Sequence, residues 1–311
     1  MCYNNLRQHR KNKNSYKGSV FTLRIKKFLL GYFALAVLSG IVLSVWRTVL
    51  MIRYYDPYKN EYALEASGSL KAIGFALLIL FIVFATAAIV MTKYEFKAFS
   101  ASDHQTSVFT SALLGFVFLA IGVFVSLYLN TIPEFYQFPL FRYAQLASYA
   151  LLFLCAVYFI LNATGNPRFE PIKKALSFIP PLWGVAYLLA SYTNPAYNYK
   201  DFNHTLCNVA LCALTLFFLY DAKMIATKKA TTIYFVFSLI SLTASMVYIL
   251  PTFVLLAYWE LSSGPNYLFE AVLLGALFYT FACVRNLCKN VKAREIPAPT
   301  QEETTTEEAP M

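Results

Sequence analysis

The sequence predicts an all-α fold: a polytopic transmembrane helix bundle of about eight spans, with both termini cytoplasmic. Three observations predict it. The chain has 311 residues, of which 59% are hydrophobic and only 14% charged, whereas soluble domains carry about 25% charge. Its apolar residues gather into eight runs close to the ~20 residues that a helix needs to cross a hydrocarbon core. The basic residues alternate from loop to loop. With the N-terminus inside, twenty Lys and Arg fall on the inner side and five on the outer, the bias that orients membrane helices.

Residues 1–27 form a basic cytoplasmic arm with eight Lys and Arg, suited to an anionic leaflet. The arm is long for the n-region of a secretory signal, and no small-residue cleavage site follows the first apolar run. That run therefore reads as an anchor that stays. The transmembrane bundle covers 28–287, with spans near 28–51, 70–91, 108–130, 143–163, 174–192, 204–221, 231–258 and 267–287. The fifth is the weakest, being short and interrupted by Pro180-Pro181. Residues 288–311 are a cytoplasmic tail, acidic and disordered from 295, because a segment with five Glu, three Pro and no aromatic residue cannot bury enough apolar surface to fold. No strand is expected. The outer loops are rich in Tyr, which fits an interfacial belt and equally an aromatic ligand mouth.

Several chemistries are excluded. The six cysteines include no C-x-x-C, and four lie within apolar runs, so they read as small buried hydrophobes and not as a disulfide framework or metal site. There is no H-E-x-x-H, no G-x-S-x-G and no pair of intramembrane histidines to hold haem. No catalytic residue, cofactor or metal is expected. A continuous basic face is lacking, so nucleic acid is not a partner. The partners that remain are the lipid bilayer and a membrane or cytoplasmic protein reached through the tails.

Charges inside spans are the places where chemistry is expected, since an Arg costs about 2.5–3.5 kcal/mol at a helix centre on insertion scales. Arg47 lies in the outer third of the first span, where it either snorkels to the interface or turns inward to a carboxylate. Glu270, at a similar depth in the eighth span, is the expected partner in an intramembrane ion pair. Asp56 and Glu260 are shallower alternatives. Asp221 closes the sixth span against the helix dipole and is expected to be compensated by Lys223, Lys228, Lys229 or Arg285. His204 is a further polar candidate at a span end. Pro180, Pro181 and Pro251 are expected to break their helices. Ala36, Gly40 and Ser44 form a small-residue packing face, which suggests a central place for the first span.

Trp46-Arg47-Thr48-Val49-Leu50 followed by Tyr55-Asp56-Pro57 resembles a group of multi-pass membrane proteins of clostridial-type bacteria. Pro181-Leu182-Trp183 and Leu219-Tyr220-Asp221-Ala222 are similar too. The resemblance carries no activity and implies a bacterial plasma membrane. Two function classes follow from the residues: a non-enzymatic sensor or interaction protein, expected first, and a small-solute transporter or permease as the alternative. A polar cavity near the midplane would favour the second.

Overall fold

The computed structural model describes residues 2–56, 61–91, 94–97, 105–128, 139–194, 202–227, 229–230, 232–259 and 266–293. The helices are α1 (Cys2–Tyr54), α2 (Ser67–Met91), α3 (Gln105–Tyr128), α4 (Pro139–Thr164), α5 (Glu170–Leu176), α6 (Ile179–Thr193), α7 (Phe202–Thr227), α8 (Thr232–Trp259) and α9 (Asn266–Asn290). Among the described residues, eight segments are long and apolar enough to cross a membrane: Lys26–Tyr54, Leu64–Ile89, Val108–Leu127, Leu140–Thr164, Pro167–Thr193, Phe202–Thr227, Thr232–Leu255 and Glu270–Lys289. Each overlaps one expected run. The fold is an all-α polytopic bundle.

Short strands do occur, outside the spans. β1 (Tyr55–Asp56) and β2 (Glu61–Tyr62) form an antiparallel hairpin after α1. β3 (Tyr94–Lys97), β4 (Lys229–Ala230) and β5 (Val291–Ala293) form one sheet in the order β4-β3-β5. That sheet ties together the segments following α2, α7 and α9. Those three ends therefore share one face of the bundle, as an eight-span alternation requires.

The fifth span is built in pieces. α4 ends at Thr164, and Gly165 takes φ 64°, the left-handed stop that glycine adopts without strain. A 3-10 turn (Pro167–Phe169) leads into α5, whose last turn is closed by Ser177 Oγ donating to Lys174 O at 2.7 Å. The chain turns at Ser177 and Phe178, and Pro180 and Pro181 sit in the first turn of α6. There a missing N–H costs no hydrogen bond. Pro251 behaves differently from expectation: α8 runs through it as one helix. The reason lies in the site described below.

The centre of the bundle is α8, not α1. In their most apolar windows α8 is 78% buried and α9 72%, against 33% for α1. α8 packs against α1, α2, α7 and α9. Ala36, Gly40 and Ser44 lie on the side of α1 that meets α8. A Cβ on Gly40 would stand 2.9 Å from Met246 Sδ. Ser44 Oγ donates to Met246 O at 2.9 Å, and Thr243 Oγ1 to Ala36 O at 3.3 Å. The opposite side of α1 exposes Leu38, Val42, Val45 and Val49, a lipid-facing stripe at helical spacing. The small face made α1 a close neighbour of the centre without placing it there.

Candidate functional site

Arg47 is fully buried. Its Nη1 donates to Val247 O at 2.8 Å and to Tyr248 O at 2.7 Å, and its Nη2 donates to Asn203 Oδ1 at 2.7 Å. The Val247 carbonyl is available because Pro251, four residues on, has no N–H to give it. A backbone defect in α8 thus meets a guanidinium from α1, and neither is left alone in the apolar interior. Asn203, at the start of α7, also accepts from Tyr62 OH at 2.9 Å. One side chain therefore pins α1, α7, α8 and the β1–β2 hairpin at one level. Snorkelling is not used.

The expected ion pair between Arg47 and Glu270 is not made. Tyr248 stands between the two: its ring centroid lies 5.4 Å from the Arg47 guanidinium carbon, and its hydroxyl donates to Glu270 Oε1 at 3.0 Å. Arg47 Nε and Glu270 Oε2 are buried without hydrogen-bond partners. Two backbone carbonyls and the Asn203 amide oxygen already occupy three of the five guanidinium N–H donors.

Asp221 is also held differently from expectation. It is 3% exposed. Tyr279 OH donates to its Oδ2 at 2.9 Å and Tyr234 OH to its Oδ1 at 3.3 Å. No cation pairs with it among the described residues. Arg285 is exposed, and Lys223 lies over the Tyr220 ring at 5.9 Å. Aromatic residues close the surroundings: Phe217 packs against Tyr234, and Phe159 against Tyr279. The helix phase explains the placement. Asn203, Cys207, Ala210, Leu214, Phe217 and Asp221 recur at alternating steps of four and three, so Asp221 shares the inward face of α7 while Lys223 does not.

The same period runs along α8. Tyr234, Ser238, Ser241, Ser245 and Tyr248 fall within one face. The pair Tyr234–Asp221 ends that face on one side and the pair Tyr248–Glu270 on the other. At about 1.5 Å per residue, the two tyrosines are ~21 Å apart along the helix, most of a hydrocarbon core of about 30 Å. Sequence reading missed these tyrosines and serines. The alternating four-three spacing of hydroxyl residues over 234–248 was the available signal.

His204 is buried beside Ser191 and Asn208: Ser191 Oγ lies 3.1 Å from His204 Nε2 and donates to Asn208 Oδ1 at 2.9 Å. His204 and Asn208, with Tyr192 and Thr205, line one end of a pocket of about 530 Å³ between α2, α6, α7 and α8, and Phe81, Leu216, Phe237 and Ile240 give it an apolar wall. Asp56 sits opposite Glu61 in the β1–β2 hairpin. Glu260 lies outside the described residues. Among the described residues no group of His, Cys, Asp and Glu could hold a metal.

No protein-family model, curated protein or solved structure matches this chain. The fold itself defines the class: a multi-pass α-helical integral membrane protein.

Proposed function

We propose that the protein is a small-solute transporter or permease of a bacterial plasma membrane, driven by a cation that its buried carboxylates take up and release. One observation carries this reading. Asp221 and Glu270 lie inside the bundle, at two depths, and accept from tyrosine hydroxyls instead of pairing with a cation. An anionic carboxylate is costly in an apolar interior. Taking a proton or metal cation from water removes that cost, and intramembrane carboxylates of this kind mark ion pathways. The sensor or interaction reading relies on a Tyr-rich outer face and on the tails. The acidic tail lies outside the described residues, so the bundle interior is the better guide.

The test is charge movement in a reconstituted membrane. Proteoliposomes of the full chain on a solid support are stepped in pH, then in sodium at constant pH. A transient current on one of the two steps is expected, reduced by half or more in Asp221→Asn and Glu270→Gln. Currents equal to those of protein-free vesicles on both steps would sink the reading.

A further inference from the structure

The polar face of α8 joins the two carboxylates. Neighbours three and four apart on a helix have Cβ atoms about 5–6 Å from one another. Hydroxyls at that spacing are too far apart to bond directly, and one water between them would complete the link. Ser238 gives its proton to the Tyr234 and Phe235 carbonyls, the usual habit of a helical serine. Ser241 and Ser245 do not. Both are buried, at 0% and 1% exposure, and neither oxygen has a hydrogen-bond partner. Two buried, unpartnered hydroxyls thus lie on α8 between the tyrosines that hold the two carboxylates.

We propose that this face of α8 is a proton path between Glu270 and Asp221, which makes the proton the coupling ion of the transport reading on which this inference rests. A proton from the outer side adds to the Glu270 carboxylate. Each hydroxyl or bridging water then accepts a proton on a lone pair and releases its own to the next. None changes its net protonation, and the proton leaves Asp221 for water on the inner side. A metal ion needs a shell of several oxygens, and this face offers one hydroxyl per level. The groups facing Glu270 are Tyr248 from α8, Cys207 from α7 and Arg47 from α1. Those facing Asp221 are Tyr234 from α8, Tyr279 and Cys283 from α9, and Tyr158 from α4.

The experiment uses the full chain in liposomes with a trapped pH dye and a potassium–valinomycin potential. Proton entry above the protein-free rate is expected, with slowing in deuterium oxide. Removing both hydroxyls in Ser241→Ala/Ser245→Ala should cut the rate about tenfold, roughly the rate worth of one lost hydrogen bond at the narrowest step. Ser241→Thr/Ser245→Thr, which keeps the hydroxyls, should restore most of it. Alanine favours helix, and a monodisperse, fully helical Ala variant separates loss of path from loss of fold. If Asp221→Asn and Glu270→Gln abolish flux while the Ala variant keeps the wild-type rate, the path is wrong and the transport reading stands. If the wild type conducts no protons yet gives a current on the sodium step, the proton assignment is wrong. If neither proton flux nor charge displacement is seen, both fall.

Discussion

Arg47 and Pro251 complete each other. The proline leaves the Val247 carbonyl without its helical donor, and Arg47 Nη1 donates to that oxygen at 2.8 Å. A residue that is costly in a membrane and a residue that damages a helix are placed where each removes the other's cost. The pair also explains why α8 continues through Pro251 without a break. It fixes α1 against α8 at one level, above the Gly40–Met246 contact.

This predicts a coupled response to mutation. Arg47→Met removes the donor and leaves the Val247 oxygen buried and unpaired, a loss of about 1–3 kcal/mol. Pro251→Ala restores an N–H to that carbonyl. Arg47→Met/Pro251→Ala should therefore be less destabilised than the two single changes added together, with a coupling of roughly 1–2 kcal/mol. Thermal or denaturant unfolding of the four proteins in one detergent measures it. Strict additivity would mean that the two residues act independently.

Much of the fold was legible because it rests on long-window properties. Span number follows from apolar run length. It does not depend on which helix touches which. The centrality of α8 was not legible in the same way. Its buried Ser238, Ser241, Thr243 and Ser245 lower its apolar character without announcing which face each occupies. For the site, Arg47, Glu270, Asp221 and Pro251 stood out one by one, since each is costly in a membrane helix. Their partners did not. Tyr234, Tyr248 and Tyr279 read as ordinary interior or interfacial aromatics, and two of the three Arg47 acceptors are the backbone carbonyls of Val247 and Tyr248, which no side-chain type reveals.

The α6–α7 contact depends on a glycine. A Cβ on Gly184 would overlap Thr215 Oγ1 and lie 3.0 Å from Thr215 Cβ. Thr215 is itself held by its bond to Leu211 O at 2.7 Å, so it cannot turn away freely. Gly184→Ala should destabilise the protein by about 1–3 kcal/mol, as overpacking does. Adding Thr215→Ala should recover part of the loss. A melting temperature unchanged by Gly184→Ala would show that α6 and α7 do not approach this closely.

The division between lipid-facing and interior surfaces predicts tryptophan behaviour. Trp46 is 38% exposed on α1, whereas Trp183 is 1% exposed and packs edge-on against Phe118. In single-tryptophan variants reconstituted with bromine-labelled acyl chains, Trp46 emission should be strongly quenched and Trp183 emission nearly untouched. The reverse order would overturn the assignment of the α1 outer face to lipid.

Asp221 offers the sharpest test of how the bundle holds a carboxylate. If nearby lysines neutralised it, removing Lys223 would expose an uncompensated buried charge, and stability would fall by several kcal/mol, about the cost of breaking a buried pair. The geometry says otherwise, because Lys223 lies over Tyr220 and the carboxylate accepts from two phenols. Lys223→Ala should therefore change stability by no more than about 0.5 kcal/mol, as surface changes do. Tyr279→Phe removes the closer donor from Oδ2 and should cost about 1–3 kcal/mol. Asp221→Asn keeps the shape and needs no counter-charge, so it should be better tolerated than Tyr279→Phe. In unfolding measurements, a Lys223→Ala loss equal to that of Tyr279→Phe would return the charge-compensation account.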